Sequence, residues 1–278
     1  MSVALGIPSA NRGLVVAGCP VGEVEFIAES ASGASQDVEK LVHTLMKLDL
    51  PVQDKLLLLR KSLQVKIVHL ARSAPCDLVA PALQRSEEAV RNAFLSLIGR
   101  QEADLDVEQL DLPTCVGGLG LQRLTSFEGV VCEAGYIAAA SLTQKAPEGG
   151  HQSLMPLTTG SDLINTYWNE ATAFRAMSEA IDIHSAHDLG LLKKLQRSAG
   201  YCAKDKLHAQ LLQKYKVQLD DDAIRVQVQE NLTRLHSLQE GVGTGWLEVR
   251  PIKDQWELDE ATMTSALRFM LGVSPGPR

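Results

Sequence analysis

Two groups of side chains have a spacing that could support metal chemistry. Asp220, Asp221 and Asp222 could share a divalent cation, because neighbouring carboxylates relieve their repulsion by binding a metal. The same triplet precedes a predicted helix, where acidic residues at the N-cap and first turn favour the helix dipole, and we expect this second role. His184 and His187 are separated by one helical turn, but no nearby Cys or His completes a tetrahedral site. We expect surface or capping histidines and assign no metal ligand.

Glycines are concentrated in the segment Gly117-Gly118-Leu119-Gly120. Such a run can cradle a phosphate, but the chain has no G-x-x-x-x-G-K-[ST] motif and no parallel-strand unit around these residues. We therefore expect a turn here. Asp182, His184 and Ser185 lack the nucleophile elbow of a hydrolase, so we assign no catalytic residue.

The elements that would position these groups are mostly helical. The run from Gly13 to Gly18 is rich in β-branched residues between glycines and predicts a strand and a turn. Apolar residues then recur at helical spacing. The predicted helical segments of the first hundred residues are 23–48, interrupted at Ser32-Gly33 to give one kinked helix or two short ones, 51–70, beginning at Pro51, and 77–98, ending before Gly99.

The rest of the chain continues this pattern after the glycine-rich turn. Residues 146–160, rich in Gly, Pro, Thr and Ser, predict an exposed connection between two helical layers. The further predicted helices are 126–142, 161–181, 188–216, 221–239 and 258–271. The predicted fold class is mainly α, a helical bundle with a small N-terminal β element.

Composition restricts the class of protein. The 278 residues are 45% hydrophobic and 22% charged, which is typical of a globular chain that buries a core. The net charge of -7 excludes a uniformly basic nucleic-acid binder. No apolar run approaches the length of a membrane span, and no secretory signal is recognisable. The five cysteines are scattered, without a C-x-x-C pair, which is typical of reduced thiols and predicts an intracellular location, in nucleus or cytoplasm.

Charge is unevenly distributed along the chain. Residues 51–100 contain eight basic and four acidic residues, a local charge of +4, whereas the remaining 19 basic and 30 acidic residues give -11. A helical face of this sign could follow a phosphate backbone through counterion release, although a solvated helix face has the same composition.

Four phrases follow one another along the chain. They are Gly13-Leu-Val-Val-Ala-Gly-Cys-Pro-Val-Gly22 with Phe26; Pro51-Val-Gln-Asp-Lys-Leu-Leu-Leu-Leu-Arg60 with His69-Leu-Ala-Arg72 and Pro75; Leu112-Pro-Thr-Cys-Val-Gly-Gly-Leu-Gly-Leu121; and Trp246 with Pro251 and Ala266-Leu-Arg-Phe-Met-Leu-Gly272. In this order they resemble the region that follows the catalytic palm in reverse transcriptases of non-long-terminal-repeat retrotransposons. The first is similar to the hairpin that grips the primer end, the second to the helical thumb, the third to the "LPxxxGGLGL" turn and the fourth to the end of that region. Ala17 stands where the family usually has Leu, and residues 144–218 carry no specific likeness.

The resemblance implies three segments: a primer-grip-like strand and turn at 1–22, a thumb-like unit at 23–100 and a second helical region at 101–278. It places Gly18, Cys19, Pro20 and Gly22 beside the primer terminus. It also implies that five basic side chains face the template-primer duplex: Lys55, Arg60, Lys61, Lys66 and Arg72. The alternative for each glycine is a role in the turn alone, and for each cation a role in solvation alone.

The resemblance also indicates what the chain lacks. Polymerases of this class hold two metal ions on palm aspartates that precede the primer-grip hairpin, but residues 1–22 contain no Asp or Glu. We therefore expect a non-catalytic fragment, with Mg²⁺ a cofactor only of a full-length polymerase. The expected partners are an RNA/DNA template-primer and a missing palm domain, with no membrane. An intracellular helical adaptor that binds a partner helix is the alternative, and a small-molecule enzyme would require a deep pocket.

Overall fold

The structure is a computed structural model of the chain. It describes residues 12–101, 105–121, 204–205, 207–221, 224–238, 247 and 258–273, with the side chains of Arg72 and Cys76 outside this description. Over these residues the fold is mainly helical, with a two-stranded antiparallel sheet near the N-terminus, which confirms the predicted fold class. The predicted segments 126–142, 146–160 and 161–181 lie outside the described residues, as do His184 and His187.

The chain divides into two compact units whose segments alternate along the sequence. Unit 1 comprises Met1–Ser35, Ile67–Gln84 and Leu124–Ala203, and unit 2 comprises Gln36–Lys66, Arg85–Arg123 and Lys204–Arg278. The predicted segments 1–22, 23–100 and 101–278 are each continuous in sequence, unlike these two units. Their boundaries stay predictions.

A β-hairpin in unit 1 confirms the predicted strand and turn. Strands β1 (Gly13–Val16) and β2 (Cys19–Gly22) pair antiparallel, with Gly13 opposite Gly22 and Val16 opposite Cys19. The two turn residues both have positive φ, 50° at Ala17 and 84° at Gly18. Two positive φ angles define a type I′ turn, whose twist matches that of the flanking strands.

Helix α1 (Val24–Lys47) is uninterrupted, so the break predicted at Ser32-Gly33 is wrong. The Ser35 hydroxyl donates to the Ser32 carbonyl at 2.9 Å, and Gly33 faces open space. The buried apolar stripe continues on the same helical face beyond this point, which favours one helix over two. Its members are Ile27, Ala31, Val38, Val42 and Leu45.

The single helix predicted from residue 51 to 70 is also wrong. Helix α2 (Val52–Leu58) passes into a π-helical turn (Leu59–Leu63), and helix α3 (Val68–Ser73) begins after a bend at 64–67. The Gln64 amide donates to the Leu59 carbonyl at 3.1 Å, a bond one residue longer than in an α-helix. This wider turn redirects the side chains that follow α2.

Helix α4 (Cys76–Ile98) confirms the third predicted helix. It ends at Gly99, whose φ of 60° is the left-handed conformation that glycine adopts most easily after a helix. Arg268 donates from Nε to the Ile98 carbonyl at 2.8 Å and satisfies one of the terminal acceptors of α4. A residue distant in sequence therefore caps this helix.

Unit 2 contains four further described helices. They are α5 (Val107–Asp111), α6 (residues 207–218), α7 (Arg225–Ser237) and α8 (Glu260–Met270). Helices α6, α7 and α8 lie within or close to the predicted segments 188–216, 221–239 and 258–271, whereas α5 lies in none of the predicted segments. Helix α8 packs on α2. Side chains of α6 and α7, with the residue that follows α5, form a buried apolar cluster. Its members are Leu112, Leu211, Tyr215, Val228, Leu232 and Leu235.

The acidic N-cap and first turn predicted for α7 are wrong, and Asp222 lies outside the described residues. The N-cap of α7 is Ile224, with no side-chain cap, and its first turn contains no acidic residue. The amides of Asp220 and Asp221 instead donate to the carbonyls of Val217 and Gln218, at 3.4 and 3.2 Å. These two aspartates therefore extend the C-terminal turn of α6.

Candidate nucleic-acid interface

The five predicted basic residues lie on a short stretch of backbone that belongs to two units. Lys55 is on α2, Arg60 and Lys61 are on the π-helical turn, and Lys66 is in the bend that follows, all in unit 2. Arg72 is on α3, in unit 1, with its side chain outside the described residues.

Arg60 departs from the expected surface position. Its residue is 4% exposed, and Nη1 donates to the carbonyl of Leu247 at 3.1 Å. The side chain also lies against Gly120, where an added Cβ would be 3.2 Å from Nη2. A guanidinium enclosed in this way serves the interior of unit 2, because moving it to a surface phosphate would leave the Leu247 carbonyl unpaired.

Lys55 has a second structural role. Its residue is half-buried, and Nζ donates to the Met46 carbonyl at 3.4 Å. Met46 lies in the last turn of α1, where unpaired carbonyls carry the negative end of the helix dipole. Lys55 therefore stabilises the end of α1.

Lys61 and Lys66 are exposed, as predicted for residues that meet a polyanion. Leu58 and Val65, each close to one of these lysines in sequence, are 42% and 43% exposed. This segment thus presents ammonium groups and apolar side chains together. We call Lys61 and Lys66, with Leu58 and Val65, the α2–α3 surface.

The predicted primer-grip residues form the tip and second strand of the hairpin. A Cβ at Gly18 would lie 3.8 Å from Nε2 of His69, and β2 contacts α3, so the hairpin packs on that helix within unit 1. Pro20 is buried, and Cys19 is a half-buried free thiol. At Gly22 a Cβ would collide with the backbone of the opposite strand. The close approach of the two strands therefore requires a glycine at this position, and the predicted place of these residues beside a primer terminus stays a prediction.

Phe26, the last member of the first phrase, has a defined contact. Its ring occupies the position that a Cβ of Gly13 would take. An aromatic ring over a strand glycine replaces the missing side-chain contact of that glycine. Helix α1 is thereby joined to the end of the hairpin.

The glycine-rich phrase forms a tight loop, as predicted. The amides of Gly117, Gly118 and Gly120 donate within the loop, to Thr114, Pro113 and Leu112 at 3.1, 3.1 and 2.8 Å. Amides used in this way are not directed at a phosphate, which agrees with a turn and disfavours a phosphate cradle.

Three of the four phrases meet in unit 2. Arg60 of the second phrase reaches Leu247 of the fourth, and Gln64 donates from Nε2 to the Gly120 carbonyl of the third at 3.0 Å. Gln109, just before the third phrase, donates from Nε2 to Gly117 and to Met270, both at 2.8 Å. Residues distant in sequence therefore hold each other through backbone carbonyls.

Arg234 completes this polar network, which sequence reasoning missed. Its Nη1 donates to Oε1 of Gln109 at 3.1 Å and also to the Met270 carbonyl. Burial lowers the pKa of Arg234, and the neighbouring Tyr215 partly opposes this change. Buried Gln109 and Arg234 have no distinctive spacing, so the sequence held no signal for them.

Carboxylates of the same unit bind two cations, Arg91 and Lys214. Asp111 accepts from Nη2 of Arg91 at 2.8 Å, and Glu87 accepts from the same nitrogen at 3.2 Å. The i, i+4 spacing of Glu87 and Arg91 could have indicated that pair. Asp106 accepts from Lys214 Nζ at 2.6 Å and from the Tyr215 hydroxyl.

These contacts raise the pKa of both partners of Asp106, Lys214 and Tyr215. The hydrogen bond to Asp106 is the main cause of the raised pKa of Lys214. Burial raises the pKa of the Tyr215 phenol, and the hydrogen bond to Asp106 raises it further. Both groups therefore stay protonated well above neutral pH.

The described residues do not provide a metal centre. Within them, no group of three or more His, Cys, Asp or Glu side chains could hold a metal ion.

No protein-family model, curated protein or solved structure is detectably similar to this chain. None of the helices described here has both the length and the apolar character needed to cross a membrane.

Proposed function

We propose that this chain is a non-catalytic part of a retroelement reverse transcriptase, C-terminal to the palm, that binds an RNA-DNA template-primer. The α2–α3 surface carries the binding, with Lys61 and Lys66 as its contacts to phosphates. This function implies an intracellular location. Catalysis would belong to palm aspartates on a preceding domain, so the chain alone has no polymerase activity.

The exposure of Lys61 and Lys66 is the observation that carries the proposal. Both lie in a segment, residues 51–100, with a local charge of +4 in a chain whose net charge is -7. Lys55 and Arg60 are left out of the contact set because Lys55 is half-buried and Arg60 is 4% exposed. Arg72 stays a predicted contact on α3.

Two lysine contacts predict weak, salt-dependent binding. Each neutralised phosphate contributes roughly 0.7 to 0.9 to the slope of log K against log salt concentration. The two lysines together should therefore contribute a slope of about -1.4 to -1.8. The exposed Leu58 and Val65 would add contacts to sugars or unpaired bases.

Fluorescence anisotropy with a labelled RNA-DNA hybrid at low salt tests the proposal. We expect the double variant Lys61→Glu/Lys66→Glu to lose binding and to remove most of the salt dependence. The matched control is Lys40→Glu/Lys216→Glu, which makes the same change in net charge at two exposed lysines of unit 2. Equal binding by the two double variants, or no binding by the parent chain, would reject the proposal.

An adaptor that binds a partner helix is the second candidate. It is favoured by exposed aliphatic side chains around the junction of α6 and α7, where Val217 is 61%, Ile224 37% and Val226 73% exposed. Clustered exposed apolar residues of this kind often mark protein-binding surfaces. The same anisotropy experiment separates the two functions, because an adaptor would not bind the hybrid even at low salt.

A further inference from the structure

Helices α6 and α7 of unit 2 pack against each other through the buried apolar cluster. Each helix contributes side chains to this cluster, Leu211 and Tyr215 from α6 and Val228, Leu232 and Leu235 from α7. Only residues 219–224 separate the two helices in sequence, and helices joined by so short a connection pack as antiparallel neighbours. The start of α6 therefore lies beside the end of α7.

His208 lies where these two helix ends meet, one helical turn before Leu211 on α6, and it is half-buried. Its Nε2 atom is enclosed and has no hydrogen-bond partner within the part of the chain that the structure describes. In the neutral ring this nitrogen can be the unprotonated acceptor. In the imidazolium it would become an N–H donor with no acceptor beside it, which costs the desolvation of a charged group. The enclosed position therefore favours the neutral ring.

Charged and titratable groups surround this imidazole. Burial is the main cause of the lowered pKa of His208, the neighbouring His236 of α7 lowers it further, and Asp205 partly opposes the change. Lys204, four residues before His208, places a second cation on the same side of the helix. The tight loop of the glycine-rich phrase contributes Cys115, which interacts with Lys204. A positive charge on His208 would thus meet two basic neighbours and one carboxylate.

We propose that protonation of His208 releases the start of α6 from the end of α7, so that this helix pair is an acid-sensitive contact within unit 2. The imidazolium needs water at Nε2, which the closed contact excludes. Because His208 is only half-buried, opening the first turn of α6 is enough to hydrate the ring. Local opening of this kind costs less free energy than unfolding of the whole unit. The contact is independent of nucleic-acid binding.

The pH range of the opening follows from the ordinary pKa of histidine. Once α6 has opened, His208 should titrate near the ordinary value of about 6.5. Its pKa is lower while the contact is closed, so the closed state holds fewer protons than the open state. The stability of the contact is therefore complete above about pH 6.5 and is lost as the pH falls below that value. Uptake of one proton raises the opening equilibrium constant by up to about tenfold between pH 7.5 and pH 5.5.

Hydrogen exchange followed by mass spectrometry measures this opening in the full chain. After correction for the intrinsic pH dependence of exchange, peptides from residues 207–218 should exchange several-fold faster at pH 5.5 than at pH 7.5. His208→Gln, which carries no charge at either pH, should exchange alike at both. The control His43→Gln, at an exposed histidine of α1, should keep the response of the parent. No acceleration in the parent, or the same acceleration in His208→Gln, would overturn the inference.

NMR titration of the histidine rings tests the charge arrangement separately from the opening. In the parent chain the pKa of His208 should lie below about 6.5. His236→Gln should raise the pKa of His208 by removing the neighbouring imidazole, and Asp205→Asn should lower it by removing the carboxylate. An ordinary or raised pKa of His208 in the parent, or a pKa that does not respond to His236→Gln, would also overturn the inference.

Discussion

Arg60 donates a hydrogen bond from Nη1 to the carbonyl oxygen of Leu247, 187 residues further along the chain, at an N···O distance of 3.1 Å. The contact assigns a structural role to a cation whose position in a basic segment predicted a surface role. It also separates the neighbours Arg60 and Lys61, since one is buried and the other is exposed.

Replacing Arg60 should therefore affect folding. We expect Arg60→Met to lower the free energy of unfolding by about 1–3 kcal/mol, because the buried Leu247 carbonyl loses its donor. The matched change Lys61→Met, at the exposed neighbour, should stay within about 0.5 kcal/mol. Urea denaturation measures both values, and equal losses would contradict the assignment.

Two glycines should respond to alanine in opposite directions. Gly118→Ala should cost about 1–3 kcal/mol, because its Cβ would collide with the Leu112 carbonyl of the tight loop. Gly33→Ala should stabilise α1 by about 0.5–1 kcal/mol, since its Cβ would enter open space within a helix. Thermal unfolding of the two variants provides the comparison. A stabilising Gly118→Ala would show that the loop is not packed as described.

The two carboxylates that bind Arg91 should contribute differently to the free energy of unfolding. Asp111 is 4% exposed at 2.8 Å from Nη2, whereas Glu87 is 13% exposed at 3.2 Å. We expect Asp111→Asn to cost about 3 kcal/mol, because it leaves a buried guanidinium short of its main counter-charge. Glu87→Gln should cost at most about 1 kcal/mol. Chemical denaturation of both variants measures the difference, and the reverse order would refute it.

Tyr215 should make stability depend on pH in the alkaline range. Its pKa is higher in the folded chain than in the unfolded chain, so the folded state retains the proton longer. The stability that this phenol contributes is complete below its unfolded pKa of about 10 and is lost as pH rises above that value. Tyr215→Phe should flatten this decline in urea unfolding curves. An unchanged slope in the variant would exclude Tyr215 as its source.

Periodicity predicted the parts of the fold that local sequence controls. Helix α4 with its stop at Gly99, and the hairpin with its glycine turn, follow from patterns of a few residues. The break after α2 could not be predicted in this way, because Leu56, Leu59 and Leu63 fit a continuous helix equally well. At this break Arg60 donates to the Leu247 carbonyl and Gln64 donates to the Gly120 carbonyl, and both acceptors lie far away in the sequence.

The same limit applies to the candidate interface. Counting charges located the basic segment, but it could not separate buried Arg60 from exposed Lys61, since both have a similar sequence environment. Gln109 and Arg234 have no spacing in the sequence that reveals them as partners. A single sequence does not show which backbone carbonyl, distant along the chain, accepts a hydrogen bond from a given side chain.

The alternation of segments between the two units has a consequence for biosynthesis. A nascent chain leaves the ribosome at roughly 5–20 residues per second, so the Arg60 side chain waits on the order of 10 to 40 s for Leu247 to emerge. Until then, the helices already synthesised expose apolar stripes that unit 2 will later bury. During this interval the growing polypeptide is a natural client for chaperones, and truncated translation products should aggregate.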